Sequence, residues 1–115
     1  MKISIDEKYQ ATIIDLKGNL VGGPDAQLFR DKIYQLIKDG KKNAVVDMSE
    51  VKFMNSSGLG ILISVYTTLK NASGELKLAH ISDNVQGVLN ITKLNQIFNV
   101  YDSVDEAVKS FGSAK

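Results

Sequence analysis

Apolar residues change spacing several times along the chain, and each change marks an element. Ile3 and Ile5 alternate with polar neighbours, the pattern of a short edge strand. After a turn at Tyr9 and Gln10, Ala11 to Leu16 reads as a second strand, close enough in sequence to pair with the first as an antiparallel hairpin. Gly18 to Gly23 reads as a loop, and Pro24 stands at the first helical position, where its missing N–H costs nothing. Phe29, Ile33, Leu36 and Ile37 then share one face of a helix that Gly40 ends in the left-handed region.

Ala44, Val45 and Val46 are apolar without alternation, as in a strand covered on both faces. Leu59, Leu62, Tyr66 and Leu69 define one face of the next helix, and Ile61, Ile63 and Val65 widen it, so this helix is predicted to be the most buried. Asn71 to Gly74 closes it. Leu76, Leu78 and His80 alternate in a fourth strand, and Asp83 is a candidate cap for a short helix carrying Val85, Val88 and Leu89. Ile97 to Tyr101 reads as a fifth strand. Ser103 to Glu106 has capping-box spacing ahead of a last helix with Val104, Ala107, Val108 and Phe111 on its face. A hairpin followed by alternating helices and strands predicts an α/β fold: a mixed, mostly parallel five-stranded sheet with an N-terminal antiparallel hairpin, packed against four helices.

At 115 residues the chain is sized for one domain, read as residues 1–111 with a frayed tail over 112–115. Such a domain buries about two thirds of its unfolded surface, enough to fold without staples. The sequence has no cysteine, which removes disulfides and thiolate metal sites. Fourteen basic residues against thirteen acidic ones give a net charge of +1, which argues against direct nucleic-acid binding or a charged bilayer as partner. Lys38, Lys41 and Lys42 read as a solvated helix end. No secretory h-region precedes Asp6 and no run reaches the ~18 apolar residues of a membrane span, so a soluble, cytoplasmic protein is expected.

Between the strand at 44–48 and the helix from Ile61 lies a polar break, Asn55-Ser56-Ser57-Gly58-Leu59-Gly60. Catalysis fits it poorly. The elbow G-x-S-x-G is absent and His80, the single histidine, reads as a core or edge residue. Gly58-Leu59-Gly60 is too short for a dinucleotide loop and lacks a Walker lysine. One histidine without cysteine leaves no metal set, and Asp102, Asp105 and Glu106 read as cap and first-turn residues, so neither cofactor nor metal is expected. Asn55 is a good N-cap, which puts Ser56 and Ser57 in a first helical turn where backbone N–H groups are free. A phosphate added there meets those donors and the positive end of the helix dipole. The alternative is that both serines only cap the helix, with Gly58 and Gly60 permitting close helix–sheet packing.

Val45-Val46-Asp47-Met48-Ser49, Val51 and Phe53 to Gly60 together resemble the signature of the STAS domain, and more narrowly of the small single-domain anti-sigma factor antagonists of bacteria. The resemblance runs from Ile3 to about Phe111. It implies a non-enzymatic regulator of transcription that works by partner switching. An anti-sigma factor with serine kinase activity phosphorylates the serine aligned with Ser56. The unphosphorylated domain binds that anti-sigma factor and releases the sigma factor, and a phosphatase resets the cycle. Asn55, Ser57, Gly58, Asn19, Val21 and Met54 would flank the site or touch the partner. Two departures stand out: Asn55 replaces the family's usual acid, and Gly18-Asn19-Leu20-Val21 replaces Gly-x-Leu-Asp. Met54 and Val21, if exposed, would offer apolar contact instead. The rival expectation is a STAS subunit that never switches and serves as a scaffold in a larger assembly.

Overall fold

The computed structural model describes residues 2–8 and 11–112. The sheet has five strands in the order β1-β2-β3-β4-β5: β1 Lys2–Lys8, β2 Ala11–Lys17, β3 Asn43–Glu50, β4 Glu75–Ala79 and β5 Asn99–Tyr101. β1 pairs antiparallel with β2, and the remaining neighbours are parallel. The helices are α1 Pro24–Lys38, α2 Ser56–Asn71, α3 Asp83–Ile91 and α4 Val104–Gly112. This is the mixed five-strand, four-helix α/β fold expected from the periodicities. The turn at Tyr9 and Gln10 lies outside the described residues, as do 113–115 of the expected tail; Gly112 belongs to α4.

Side-chain alternation divides the sheet between two unequal cores. Ile14, Leu16, Val46, Met48, Leu76 and Leu78 point to one face, where Phe29 and Ile33 of α1, Leu62 and Val65 of α2, and Val85 and Leu89 of α3 cover them. Ile13, Val45 and Ala79 point to the other and meet Ala107 and Val108 of α4. The unalternating run at 44–46 is explained by this: β3 is buried on both sides. Gly40, at φ +80°, sends its N–H to Ile37, while the N–H of Lys41 reaches Leu36, closing α1 in a Schellman turn.

Five expectations are corrected. Ile63 is exposed on α2, because the helix turns that position away from the sheet. His80 follows β4 at φ +58°, so it is neither core nor in-strand. The cap of α3 is Ser82, whose Oγ accepts from the Val85 N–H at 3.2 Å, one residue before Asp83. β5 starts at Asn99, because Leu94–Gln96 winds into a 3₁₀ turn that carries Phe98 into the main core. Gly60 has no neighbour within 4 Å of where a Cβ would sit, so close packing is not its reason.

Candidate functional site

α2 begins where β3 leaves the sheet, and the backbone between them is fixed from two sides. On one side, Leu20 forms a single parallel bridge with Met54: its N–H donates to Phe53 (3.0 Å) and its carbonyl accepts from Asn55 (3.3 Å). On the other side, the first turn of α3 presents Asn84, whose Oδ1 accepts the Met54 N–H at 3.2 Å, and Ser82 Oγ donates to the Lys52 carbonyl at 3.3 Å. Four backbone groups over 52–55 are thereby satisfied by two separate loops. Met54, at 1% exposure, anchors the segment in the core.

Asn55 caps α2 as predicted. Its backbone is extended, its Oδ1 accepts the Gly58 N–H at 2.9 Å, and its carbonyl accepts the Leu59 N–H at 2.9 Å. Ser56 and Ser57 are the first two helical residues, and both are exposed. Their N–H groups belong to the set that a helix start leaves without intrahelical acceptors. A hydroxyl here can therefore receive a large anion without displacing apolar contacts, and the helix dipole favours the charge.

Gly58 fits here for a steric reason. A Cβ on it would run into the Leu20 carbonyl, so only glycine lets the loop after β2 lie across the helix start. Gly22, at φ +96°, lies over Ser57: a Cβ on it would fall 2.9 Å from the serine's Cβ. The β2–α1 loop therefore packs closely on Ser57.

Of the predicted flanking residues, Asn55, Ser57 and Gly58 adjoin Ser56 in the chain, while Asn19 and Val21, the latter at 40% exposure, are the exposed neighbours of Leu20 in the loop that crosses the helix start. Met54 is a correction: its side chain is internal and cannot present apolar surface to a partner. Its neighbour Phe53 is the exposed one, at 44%. Alternation along an extended segment, applied to 53 and 54, could have found it. Asn84, thirty residues away in sequence, carried no local signal. On α2, Ser56, Gly60, Ile63 and Thr67 are all exposed and fall at helical spacing, so the open stripe of the helix starts at Ser56.

The second polar corner is occupied differently. His80 Nδ1 lies 3.0 Å from Oδ1 of Asp47 in β3. The described hydrogen bonds of His80 run to Asp47 and to the Tyr101 carbonyl.

Comparison with known proteins bears on this geometry. Residues 2–107 match the STAS domain. The chain belongs to the STAS domain family. It is 28% identical over 103 residues to the anti-sigma-B factor antagonist of Bacillus subtilis, spanning 87% of this chain and 92% of that one. The fold is also that of the anti-sigma factor antagonist SpoIIAA in its unphosphorylated form, with a TM-score of 0.72 at 20% identity over 99% of this chain and 100% of that one. The phosphorylated form of Bacillus SpoIIAA gives 0.73 at 20% identity, over 96% of this chain and 99% of that one. Within the STAS fold, Ser56 thus occupies the start of the helix that follows the third strand.

Proposed function

We propose that this STAS domain is an anti-sigma factor antagonist whose switch is phosphorylation of Ser56. The observation that carries the reading is an exposed serine at the first position of a capped helix, on a backbone pinned from both sides. The Ser56 hydroxyl oxygen attacks the γ-phosphorus of ATP, the bond from that phosphorus to the ADP oxygen breaks, and the hydroxyl proton passes to a base. ATP, magnesium and base belong to the kinase, so this chain acts as substrate and contributes no catalytic group.

Unphosphorylated, the domain exposes Val21 on the β2–α1 loop, Phe53 ahead of α2 and Ile63 on the helix stripe that begins at Ser56, apolar surface suited to an anti-sigma factor with serine kinase activity. Binding there frees the sigma factor. Phosphorylation adds roughly −1.5 to −2 charge to that face of the domain, which disfavours the same contact, and a phosphatase reverses it. The relatives' names support the antagonist role, and SpoIIAA is itself a protein with a phosphorylated form. Asn55, where the family commonly has an acid, keeps the cap and leaves the kinase to meet a less acidic surface.

Incubation with an anti-sigma factor kinase of the same organism and ATP tests this. Intact mass should rise by one phosphate, and peptide mapping should locate it at Ser56. Unmodified protein, or phosphate at Ser57 alone, would sink the reading in favour of a STAS subunit that does not switch.

A further inference from the structure

We propose that Asn84, in the first turn of α3, is a positioning residue for phosphoryl transfer to Ser56: it aims the serine and leaves the docking of the kinase to other residues. The proposal rests on Ser56 being the phosphate acceptor and adds the element that sets how well it accepts. Met54, two residues before Ser56, donates its N–H to Asn84 Oδ1 at 3.2 Å. Beside that bond, Ser82 Oγ accepts the Val85 N–H at 3.2 Å and donates to the Lys52 carbonyl at 3.3 Å. One hydroxyl thus starts α3 and ties it to the segment that leads to the serine.

The two sides of this brace differ in what a side chain controls. The Leu20 side is made of backbone groups, which persist with any residue but proline at that position. The α3 side is made of the Asn84 amide and the Ser82 hydroxyl, so it exists only through those side chains. α3 is a firm base for them, because its Val85 and Leu89 are fully buried in the main core. Asn84 itself is exposed. Truncating it opens no cavity, and water can take over the Met54 N–H. Water satisfies that group without tying it to α3, so the segment is then free to pivot on the Leu20 bridge.

Phosphoryl transfer is sensitive to that freedom. The Ser56 oxygen bonds to the γ-phosphorus of ATP as the bond from that phosphorus to the ADP oxygen breaks, and the hydroxyl proton goes to the kinase's base. The attacking and leaving oxygens must lie roughly in line. A displacement of about 1 Å at a reacting atom can cost about 10²-fold in rate. The exposed Val21 and Ile63 lie on the β2–α1 loop and in the body of α2, outside the freed segment, so they still present their apolar surface to the kinase.

Steady-state kinetics of the anti-sigma factor kinase, with the intact chain as its substrate, tests this. Asn84→Ala should lower kcat for Ser56 by about tenfold and leave KM within about twofold of the parent's, the mark of a loss felt at the reacting atoms. Asn84→Asp keeps an acceptor oxygen where the amide oxygen stood and should bring kcat back to within about threefold of the parent. Asp83→Ala is the control. Asp83 is exposed on the same turn and no described hydrogen bond joins it to the segment, so kcat should stay at the parent's value. Amide exchange at Met54 should quicken in Asn84→Ala and not in Asp83→Ala. An unchanged kcat or Met54 exchange rate in Asn84→Ala, a raised KM in place of a lowered kcat, no rescue by Asn84→Asp, or an equal loss in Asp83→Ala would overturn the proposal and leave Ser56 phosphorylation standing. A parent chain that takes no phosphate at Ser56 would overturn both.

Discussion

The two ends of α2 are held by different physics. From Ile61 to Leu69 the helix is fixed by burial: Ile61, Leu62, Val65 and Leu69 sit in the main core, and Tyr66 meets Phe98 edge to face at 5.4 Å. From Asn55 to Gly60 it is fixed by backbone hydrogen bonds and by one steric fit at Gly58. Burial is sensitive to any change of side-chain volume. Hydrogen bonds to backbone atoms leave the outward side chains free. A regulatory charge can therefore be added at the Asn55 end at little cost, whereas at the Leu69 end it would have to enter apolar surroundings.

Substitutions at the two ends should separate in size. Leu62→Ala, at a fully buried position, should cost about 3 kcal/mol in chemical denaturation; a loss under about 1 kcal/mol would mean the distal end is not held by packing. Gly58→Ala should cost about 2 kcal/mol, since the Leu20 carbonyl must move. Gly60→Ala, with open space around it, should instead stabilise by about 0.5–1 kcal/mol. If the two glycine variants behave alike, the steric account of the helix start is wrong. Asn55→Ala should cost about 1 kcal/mol through loss of the cap, and hydrogen exchange at Gly58 should accelerate. Smallest of all, Ser56→Asp should leave stability within about 1 kcal/mol of the parent, because a helix N-terminus tolerates negative charge.

The same division explains what was legible in the sequence. Periodicity read the fold well, because burial writes a pattern into consecutive residues: Phe29, Ile33 and Leu36 were placed by spacing alone, and β3 by its unbroken apolar run. Its errors came where backbone geometry overrides side-chain type. Ile63 sits among buried apolar neighbours and still faces outward; Ile97 to Tyr101 has strand composition, but the 3₁₀ turn at Leu94–Gln96 delays the strand to Asn99. The site was half legible. Asn55, Ser56 and Gly58 announce a capped helix start through local chemistry. The supports from Leu20 and Asn84 are backbone contacts across the fold, and a leucine's N–H and carbonyl leave no trace in its side chain. Met54 and Phe53 are both apolar, and the inward turn of Met54 at its bridge to Leu20 follows the alternation of an extended segment.

The central claim is that a phosphate at Ser56 changes the partner's view of the domain without changing the domain. The direct measurement is a comparison of unmodified protein with protein phosphorylated at Ser56, for affinity to the anti-sigma factor kinase and for stability. The account predicts binding weakened by at least about tenfold, equivalent to about 1.4 kcal/mol, with an unchanged denaturation midpoint. Equal affinity in the two forms, or a phosphorylated protein that unfolds, would contradict it.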